Sequence, residues 1–457
     1  MRALPFPHVS RRAWQLEGLR VPALALWLGG ITLGGFLLRL IWVFYTDTIP
    51  LGGDPHWYYV VAVNLAQGYG FVTAAGDVFM EVPGPGEPTA FWPPAYPFAL
   101  AGVYKLFGIG FTSAKVYNAL LGALTIPFVY LLAREIFDKR TGLFAAAAFA
   151  VFPNAIAWTP LLFPEEQFVL VFVAALWVLV AFPQSETNRW LPLAAFGVLV
   201  GIATLTRGQG AALIPIAGLY WLLRSGWRPA LQSTGIALVA TAAVIAPWTV
   251  RNAFELDAFV PISTNSGAAL RAGHAPDSIG TTKWTEDAIG GVRMDQSLQR
   301  PDWEVRGYRV YTRRAIEYAV SHPREELDLT RYKVYHLYRS DAGVLPWLET
   351  VGATPIEPRA LKDTLWVLFD VSYYGVLFAA LLTIPFWLRR DPKRLLLVNV
   401  VLMWTAFHII FEGEPRYHVP LFPILIIAAA AGALAALAAV RAVIERRPPG
   451  HQRLAGL

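Results

Sequence analysis

The 457-residue chain contains no cysteine. That excludes disulfides, thiolate metal sites and cysteine catalysis, whatever the compartment. Charge is nearly as scarce: 15% of residues are Asp, Glu, Lys or Arg against 56% hydrophobic, and the mean hydropathy is +0.45. A soluble protein of this length could not hide so much apolar surface, so the composition defines a polytopic membrane protein whose length counts spans rather than globular domains. There is no Walker loop, no dinucleotide fingerprint with a following strand and no nucleophile elbow, which argues against nucleotide chemistry in the cytosol. Nothing alternates basic and aromatic residues in the nucleic-acid manner. A cleavable leader is not expected either, because Val21 to Tyr45 is too long for a signal h-region and lacks a small-residue cleavage site.

Aromatic side chains, by contrast, are abundant. The 17 Trp and 18 Tyr suit anchoring at the membrane–water interface. The net charge of +6 comes from basic residues clustered beside the spans, which reads as retention of loops at an anionic inner leaflet rather than as nucleic-acid binding.

Apolar stretches of spanning length occur near 21–45, 114–133, 141–160, 166–182, 190–206, 209–224, 231–250, 364–388, 395–411 and 418–440. A further stretch, 96–108, has about 13 residues, the length of an interfacial or re-entrant helix rather than a span. Charge parity settles its role. Arg11, Arg12 and Arg20 place the N-terminus inside; if 96–108 does not cross, the loop 134–140, Arg224/Arg228, the Arg389–Arg394 run and the tail with Arg441, Arg446 and Arg447 all fall in the cytoplasm. If it crossed, all of them would lie outside. The expectation is therefore an all-α polytopic membrane protein of about ten transmembrane helices with both termini cytoplasmic. The segments 46–113, 160–166, 207–209, 251–363 and 412–417 then face outward. Of these, 251–363 is the only sizeable polar part; Val305, Tyr308, Val310, Tyr311, Ile316, Ala319 and Val320 follow helical spacing up to His322-Pro323, predicting a small helical layer on the membrane surface. Three units follow: 1–250 with seven spans, the 251–363 segment, and a three-span module with its tail at 364–457. The alanine-rich last span suits close helix packing in lipid.

The candidate site residues are outward charges. Asp54-Pro55 starts a helix, the carboxylate accepting from orphan N–H groups and proline suiting the first position. Tyr58, Val61, Ala62 and Leu65 continue an amphipathic pattern to Gly68. Pro164-Glu165-Glu166 places an acidic pair in the first turn of a span; this suits the helix dipole, yet acids at a bilayer edge are costly enough to suggest function. Two such carboxylates could deprotonate an acceptor hydroxyl or position a divalent cation. Arg207 and Arg416-Tyr417 lie outside the positive-inside set, where a guanidinium can match a phosphate or snorkel to headgroups. Arg251-Asn252 closes another span, and Pro261 to Gly267, with Asn265 at its centre, offers polar groups suited to a sugar or simply a turn. His408, Glu412 and His418 do not present three metal ligands on one side, and His56 beside Asp54 is a weak metal candidate. Arg39, in the outer half of the first span, fits snorkelling or the site.

The order of these features resembles the GT-C superfamily of integral-membrane glycosyltransferases, in particular bacterial relatives of the protein O-mannosyltransferases and the lipid A aminoarabinose transferase (family 39-like). The resemblance is carried by Asp54 after the first span, Tyr58 and Asn64-Leu65-Ala66-Gln67-Gly68, Pro93-Pro94-Ala95-Tyr96-Pro97, Glu165/Glu166, Ala246-Pro247-Trp248-Thr249-Val250-Arg251-Asn252, Asn265-Ser266-Gly267 and Arg416-Tyr417-His418-Val419-Pro420. It implies an inverting transferase of the cell membrane that takes a sugar from a polyprenyl-phosphate donor on the extracytoplasmic face and gives it to a lipid, glycan or protein acceptor. Asp54 would be the base or acceptor-orienting group, with Glu165 or Glu166 as the second acid. Arg416 and Arg207 would bind the lipid phosphate, and Tyr58, Tyr96, Arg251, Asn265 and Tyr417 complete the expected substrate-binding set. The chain departs from many relatives in having Asp54-Pro55 for Asp-Glu and Trp92-Pro93-Pro94 for Lys-Pro-Pro, and the soluble C-terminal domain of some relatives is not expected. The alternative reading is a transporter or flippase of lipid-linked saccharides, which would favour charges or broken helices near the bilayer midplane.

Overall fold

The computed structural model describes residues 21–46, 53–73, 83–182, 190–281, 300–352, 356–388 and 391–445. The basic flanks Arg11, Arg12, Arg20, Arg389, Arg390, Arg446 and Arg447 lie outside the described residues.

Helices dominate. The first half runs α1 (Val21–Thr46), α2 (Gly53–Gln67), α3 (Ala95–Phe107), α4 (Phe111–Ile136), α5 (Lys139–Ala150), α6 (Pro153–Ala157), α7 (Glu165–Ala181), α8 (Trp190–Thr206), α9 (Leu213–Ser225) and α10 (Trp227–Glu255). The second half runs α11 (Asn265–Gly273), α12 (Arg300–Ser321), α13 (Pro323–Tyr338), α14 (Val344–Gly352), α15 (Arg359–Leu382), α16 (Ile384–Trp387), α17 (Pro392–Ile410) and α18 (Phe422–Glu445). A small antiparallel pair, β1 (Val72–Thr73) with β2 (Glu87–Pro88), closes the loop after α2. Asn64 holds that loop, donating from Nδ2 to the Val72 carbonyl at 2.8 Å and accepting from the Gly84 N–H at 2.8 Å.

The local chemistry explains the breaks. Pro153 separates α5 from α6, and Pro323 starts a new helix after His322 because proline suits a first turn and cannot continue a ladder. Asp138 caps α5 by accepting from the Thr141 N–H at 2.8 Å, and Asp391 caps α17 by accepting from Lys393 N–H at 3.1 Å.

Among the described residues six helices are long and apolar enough to cross a membrane: α1, α4, α10, α15, α17 and the run Pro415–Arg441 that contains most of α18. The other four expected spans form shorter helices, the broken α5–α6 pair, α7, α8 and α9. Most of α7 is buried inside the bundle, so neighbouring helices rather than lipid surround it. Exposed Leu26, Ile41, Val239, Val371 and Leu402 form an apolar belt on the long helices, the surface expected where the solvent is hydrocarbon. The 96–108 stretch forms α3, whose 13 residues span about 20 Å at 1.5 Å per residue, short of a bilayer core.

Helices α8 and α10 approach closely. A Cβ added to Gly197 would stand 2.4 Å from the Ala237 carbonyl oxygen, and one on Gly201 would stand 2.6 Å from Val244 Cβ. This glycine pair, spaced by four, lets two backbones approach as they do in lipid when packing replaces the hydrophobic effect. Thr241 Oγ1 donates to the Gly197 carbonyl across the contact at 2.9 Å.

The connecting segments sort to two ends of the bundle. At one end Lys393 Nζ lies 3.7 Å from Glu135 Oε2 and Arg394 covers the Phe137 ring at 5.2 Å, joining the loop after α4 to the start of α17. At the other end gather the starts of α2, α7 and α11 and the ends of α8 and α17. Helices α11 to α14 lie between α10 and α15 in the chain, with Tyr308 of α12 lining the second end and Trp347 of α14 against Arg416.

Candidate active site

A cavity of about 320 Å³ opens where those helix ends converge. Its charged lining is Asp54 from α2, Glu165 from α7, Arg207 after α8, Glu412 after α17, and Arg416 before α18. Four separated pieces of chain therefore deliver three carboxylates and two guanidiniums to one space.

The charges are already matched in pairs. Arg416 Nη1 donates to Asp54 Oδ2 at 2.9 Å and its Nε to Glu414 Oε2 at 3.0 Å. Its guanidinium lies over the Phe163, Trp347 and Tyr417 rings at 5.1, 5.4 and 5.4 Å, and such planar stacking is something lysine cannot provide. Arg207 Nη1 donates to Glu165 Oε1 while covering the other ring neighbour, Tyr417, at 5.2 Å. Glu165 Oε2 is buried without a hydrogen-bond partner among the described residues. Tyr417 donates its hydroxyl to Glu412 Oε1 at 3.1 Å.

Helix α2 begins at Gly53, so Asp54 sits inside the first turn. Tyr58, one turn later, shares its face and lines the cavity. Burial first, and the Asp54 carboxylate next, push the Tyr58 phenol well above its usual value, so it stays an O–H donor. Trp92 contributes an apolar wall, its ring 6.1 Å from that of Tyr58.

Asn265, Ser263 and Ser266 line the opposite side. Their loop is laced to the Trp92 loop: the Thr264 and Asn265 N–H groups donate to the Ala90 and Phe91 carbonyls at 2.9 and 3.2 Å. Glu304 of α12 clamps both loops, accepting from Thr89 Oγ1, the Ala90 N–H and Thr264 Oγ1, each at 2.8 Å.

Three expected residues stand elsewhere. Glu166 turns away from the cavity: it accepts from Thr159 Oγ1 at 3.1 Å and faces Arg39, which is wholly buried rather than snorkelling. Tyr96 lies behind Tyr58, edge-on at 5.4 Å, and donates to Asn118 Oδ1 at 2.9 Å. Arg251 ties loops together by donating to the Thr89 and Phe71 carbonyls at 2.8 and 2.9 Å. Asp54, Tyr58, Glu165, Arg207, Asn265, Arg416 and Tyr417 are the seven that converge. Sequence reasoning weighed His408 and Glu412 only as metal ligands and missed them as cavity walls, although their spacing of four at a helix end places both beside Tyr417. It gave no signal for Glu304 or Trp347. Among the described residues no group of three or more His, Asp or Glu is placed to hold a metal ion.

A helical bundle with several spanning-length apolar helices and a charged cavity at one end defines the class: a multi-pass membrane protein. Residues 92–250 match the family described as dolichyl-phosphate-mannose-protein mannosyltransferase. The chain is similar to an undecaprenyl phosphate-alpha-4-amino-4-deoxy-L-arabinose arabinosyl transferase of Pseudomonas aeruginosa, 29% identical over 151 residues that make up 32% of this chain and 27% of that protein. It thus spans only about a quarter of that curated relative's length. In structure it is similar to the oligosaccharyltransferase of Archaeoglobus fulgidus solved with Zn and sulfate, with a TM-score of 0.52 and 18% identity over 92% of this chain and 52% of that one. The same enzyme solved with an inhibitory peptide and a dolichol-phosphate gives a TM-score of 0.53 and 16% identity over 94% of this chain and 53% of that one. The fold is shared with that archaeal oligosaccharyltransferase.

Proposed function

We propose that the chain is a glycosyltransferase that moves a sugar from a polyprenyl-phosphate donor to an acceptor on the extracytoplasmic face of the cell membrane, with ten spans and both termini in the cytoplasm. One observation carries this reading: Asp54, Glu165, Arg207 and Arg416, from four separate segments of the chain, meet in one cavity at one end of the bundle. A lipid-borne phosphate reaches such a place from the headgroup layer, and an acceptor reaches it from water.

The chemistry asks for a base at the acceptor and cations at the leaving group. In the proposed step the acceptor oxygen bonds to the anomeric carbon as its proton passes to Asp54. The bond from that carbon to the phosphate oxygen breaks, and the electron pair leaves with the lipid phosphate, with inversion at the sugar. Arg416 holds Asp54 in position with one of its five N–H donors and spends another on Glu414, so its remaining donors are those assigned to the phosphate. Arg207, anchored by Glu165, supplies the second cation. Asn265 and Tyr58 are the polar groups for the sugar and the acceptor. The units 1–250, 251–363 and 364–457 then correspond to a scaffold with the catalytic acids, a covering layer, and a module bearing the phosphate-binding arginine.

The test is reconstitution of the full chain in vesicles with undecaprenyl-phosphate-linked mannose, glucose and 4-amino-4-deoxyarabinose. New glycosidic bonds that depend on Asp54 support the reading. Movement of the intact lipid-linked sugar between leaflets, with no new bond, replaces it with a translocase. A cysteine placed at residue 54 of this cysteine-free chain reports the face, and labelling from the cytoplasmic side alone overturns the orientation.

A further inference from the structure

His408 has no task in the transfer step above, yet it is among the residues that line the cavity. It lies in the last turn of α17 and is 1% exposed. Nδ1 stands 3.0 Å from the Glu412 carbonyl oxygen. A carbonyl only accepts, so Nδ1 carries the hydrogen and, in the neutral ring, Nε2 is a bare lone pair. That nitrogen is buried and has no hydrogen-bond partner among the described residues. The ring is held rigidly: it stacks on Tyr417 with centroids 5.0 Å apart and planes 22° off parallel, and packs on Trp404 and Phe407 at 5.4 and 5.6 Å. Tyr417 is pinned in turn by its bond to Glu412.

A fixed buried acceptor without a donor is costly to leave unmet. Glu165 Oε2, on another wall of the cavity, is a second such acceptor. An ionised lipid phosphate offers only acceptor oxygens and cannot satisfy a bare lone pair; a saccharide hydroxyl can. We propose that His408 Nε2 accepts a hydrogen bond from a saccharide hydroxyl in the cavity, making His408 a specificity contact that favours glycosylated over bare lipid phosphate. The inference rests on reading the cavity as a glycosyl-transfer site.

Two substitutions separate this role from a structural one. His408→Asn keeps a donor near the Nδ1 position for the Glu412 carbonyl and deletes Nε2. His408→Gln places an oxygen acceptor near Nε2 and gives up the turn bond. In equilibrium binding to the detergent-purified full chain, His408→Asn is expected to bind undecaprenyl-phosphate-linked sugar about tenfold more weakly. Its affinity for bare undecaprenyl phosphate and its melting temperature should stay at the wild-type values, while His408→Gln keeps most of the preference for the glycosylated lipid. Unchanged donor affinity with a raised acceptor KM moves the hydroxyl to the acceptor and overturns the claim that His408 favours the glycosylated lipid. The reverse order, Asn tolerated in every assay and Gln lowering the melting temperature, makes His408 a structural brace and overturns the proposal. Equal loss of glycosylated and bare lipid in His408→Asn also overturns it. Wild-type protein that binds the bare lipid but none of the mannosyl, glucosyl or aminoarabinosyl forms fails the glycosyltransferase reading itself, before any variant is compared.

Discussion

Asp54 Oδ2 and Arg416 Nη1 stand 2.9 Å apart across 362 residues of chain. The proposed base and the proposed phosphate-binding cation are therefore one ion pair, and each restrains the other. Asp54→Asn should act in two directions. Transfer should fall by about 10²–10⁴-fold, the usual contribution of a positioned base, while affinity for bare undecaprenyl phosphate rises because Arg416 loses a competing carboxylate. Turnover and lipid binding measured on the same preparation check both. A variant with wild-type turnover removes Asp54 as the base, and weaker lipid binding removes the competition account.

Arg207 and Glu165 form the second pair, with side chains 13% and 2% exposed. Removing one partner from so buried a pair strands a charge, at a cost of about 3–5 kcal/mol, whereas removing both spares that penalty. Glu165→Gln and Arg207→Gln should each lower the melting temperature in detergent more than the Glu165→Gln/Arg207→Gln double variant does. Simply additive losses would show that the two residues do not act as a pair.

The charged lining of the cavity is legible in the sequence because charge at the rim of an apolar span is rare, and counting basic loops led to the expectation that these residues share a face. Asp54, Glu165, Arg207 and Arg416 declare themselves this way, as does the helix break at His322-Pro323. Glu166 does not separate from Glu165, for consecutive helical residues point about 100° apart and α7 has buried residues on every side, leaving no apolar face to set its rotation. Arg251 occupies the same kind of rim position as Arg207. What makes it a brace is contact with Phe71 and Thr89, which lie 180 and 162 residues earlier, and no local pattern reports that. Arg39 looks like a snorkelling residue until α4, α5 and α7 close over it.

Lys333 of α13 gives a pH signature outside the spans. It is 1% exposed, and its Nζ donates to the Ile409 carbonyl at 2.9 Å and meets His274 Nε2 at 3.1 Å, closing the C-terminal end of α17. Burial lowers its pKa from 10.5 to about 8, against the opposing pull of Glu326 and Glu412. Between those two values the unfolded chain binds the proton and the folded chain has released it, so stability rises with pH across that window. Below about pH 8 both forms hold the proton and the burial penalty is present in full. Thermal unfolding at pH 7.5 to 10.5, an interval of about 3 units chosen to bracket the shift, should show a slope in wild type that Lys333→Met flattens. An unaltered slope in the variant assigns the effect to other groups.

The α8–α10 contact makes the sharpest prediction about folding. Gly197 and Gly201 meet backbone and side-chain atoms of α10 at 2.4 and 2.6 Å from where a Cβ would stand, whereas Gly29, Gly30 and Gly34 of α1 have nothing within 4 Å. Helix propensity alone predicts that alanine stabilises all five positions, by up to about 1 kcal/mol each. Packing predicts opposite signs, because the Ala237 carbonyl opposite Gly197 belongs to a helix backbone and cannot yield as a flexible side chain would. Gly34→Ala should leave the melting temperature unchanged or slightly raised, and Gly197→Ala should lower it clearly. Gly201→Leu should go further and reduce the yield of folded protein, since α8 carries Arg207 at its end and its displacement from α10 would move a cavity wall. If Gly197→Ala and Gly34→Ala behave alike, the close approach of α8 and α10 is not what holds this wall in place.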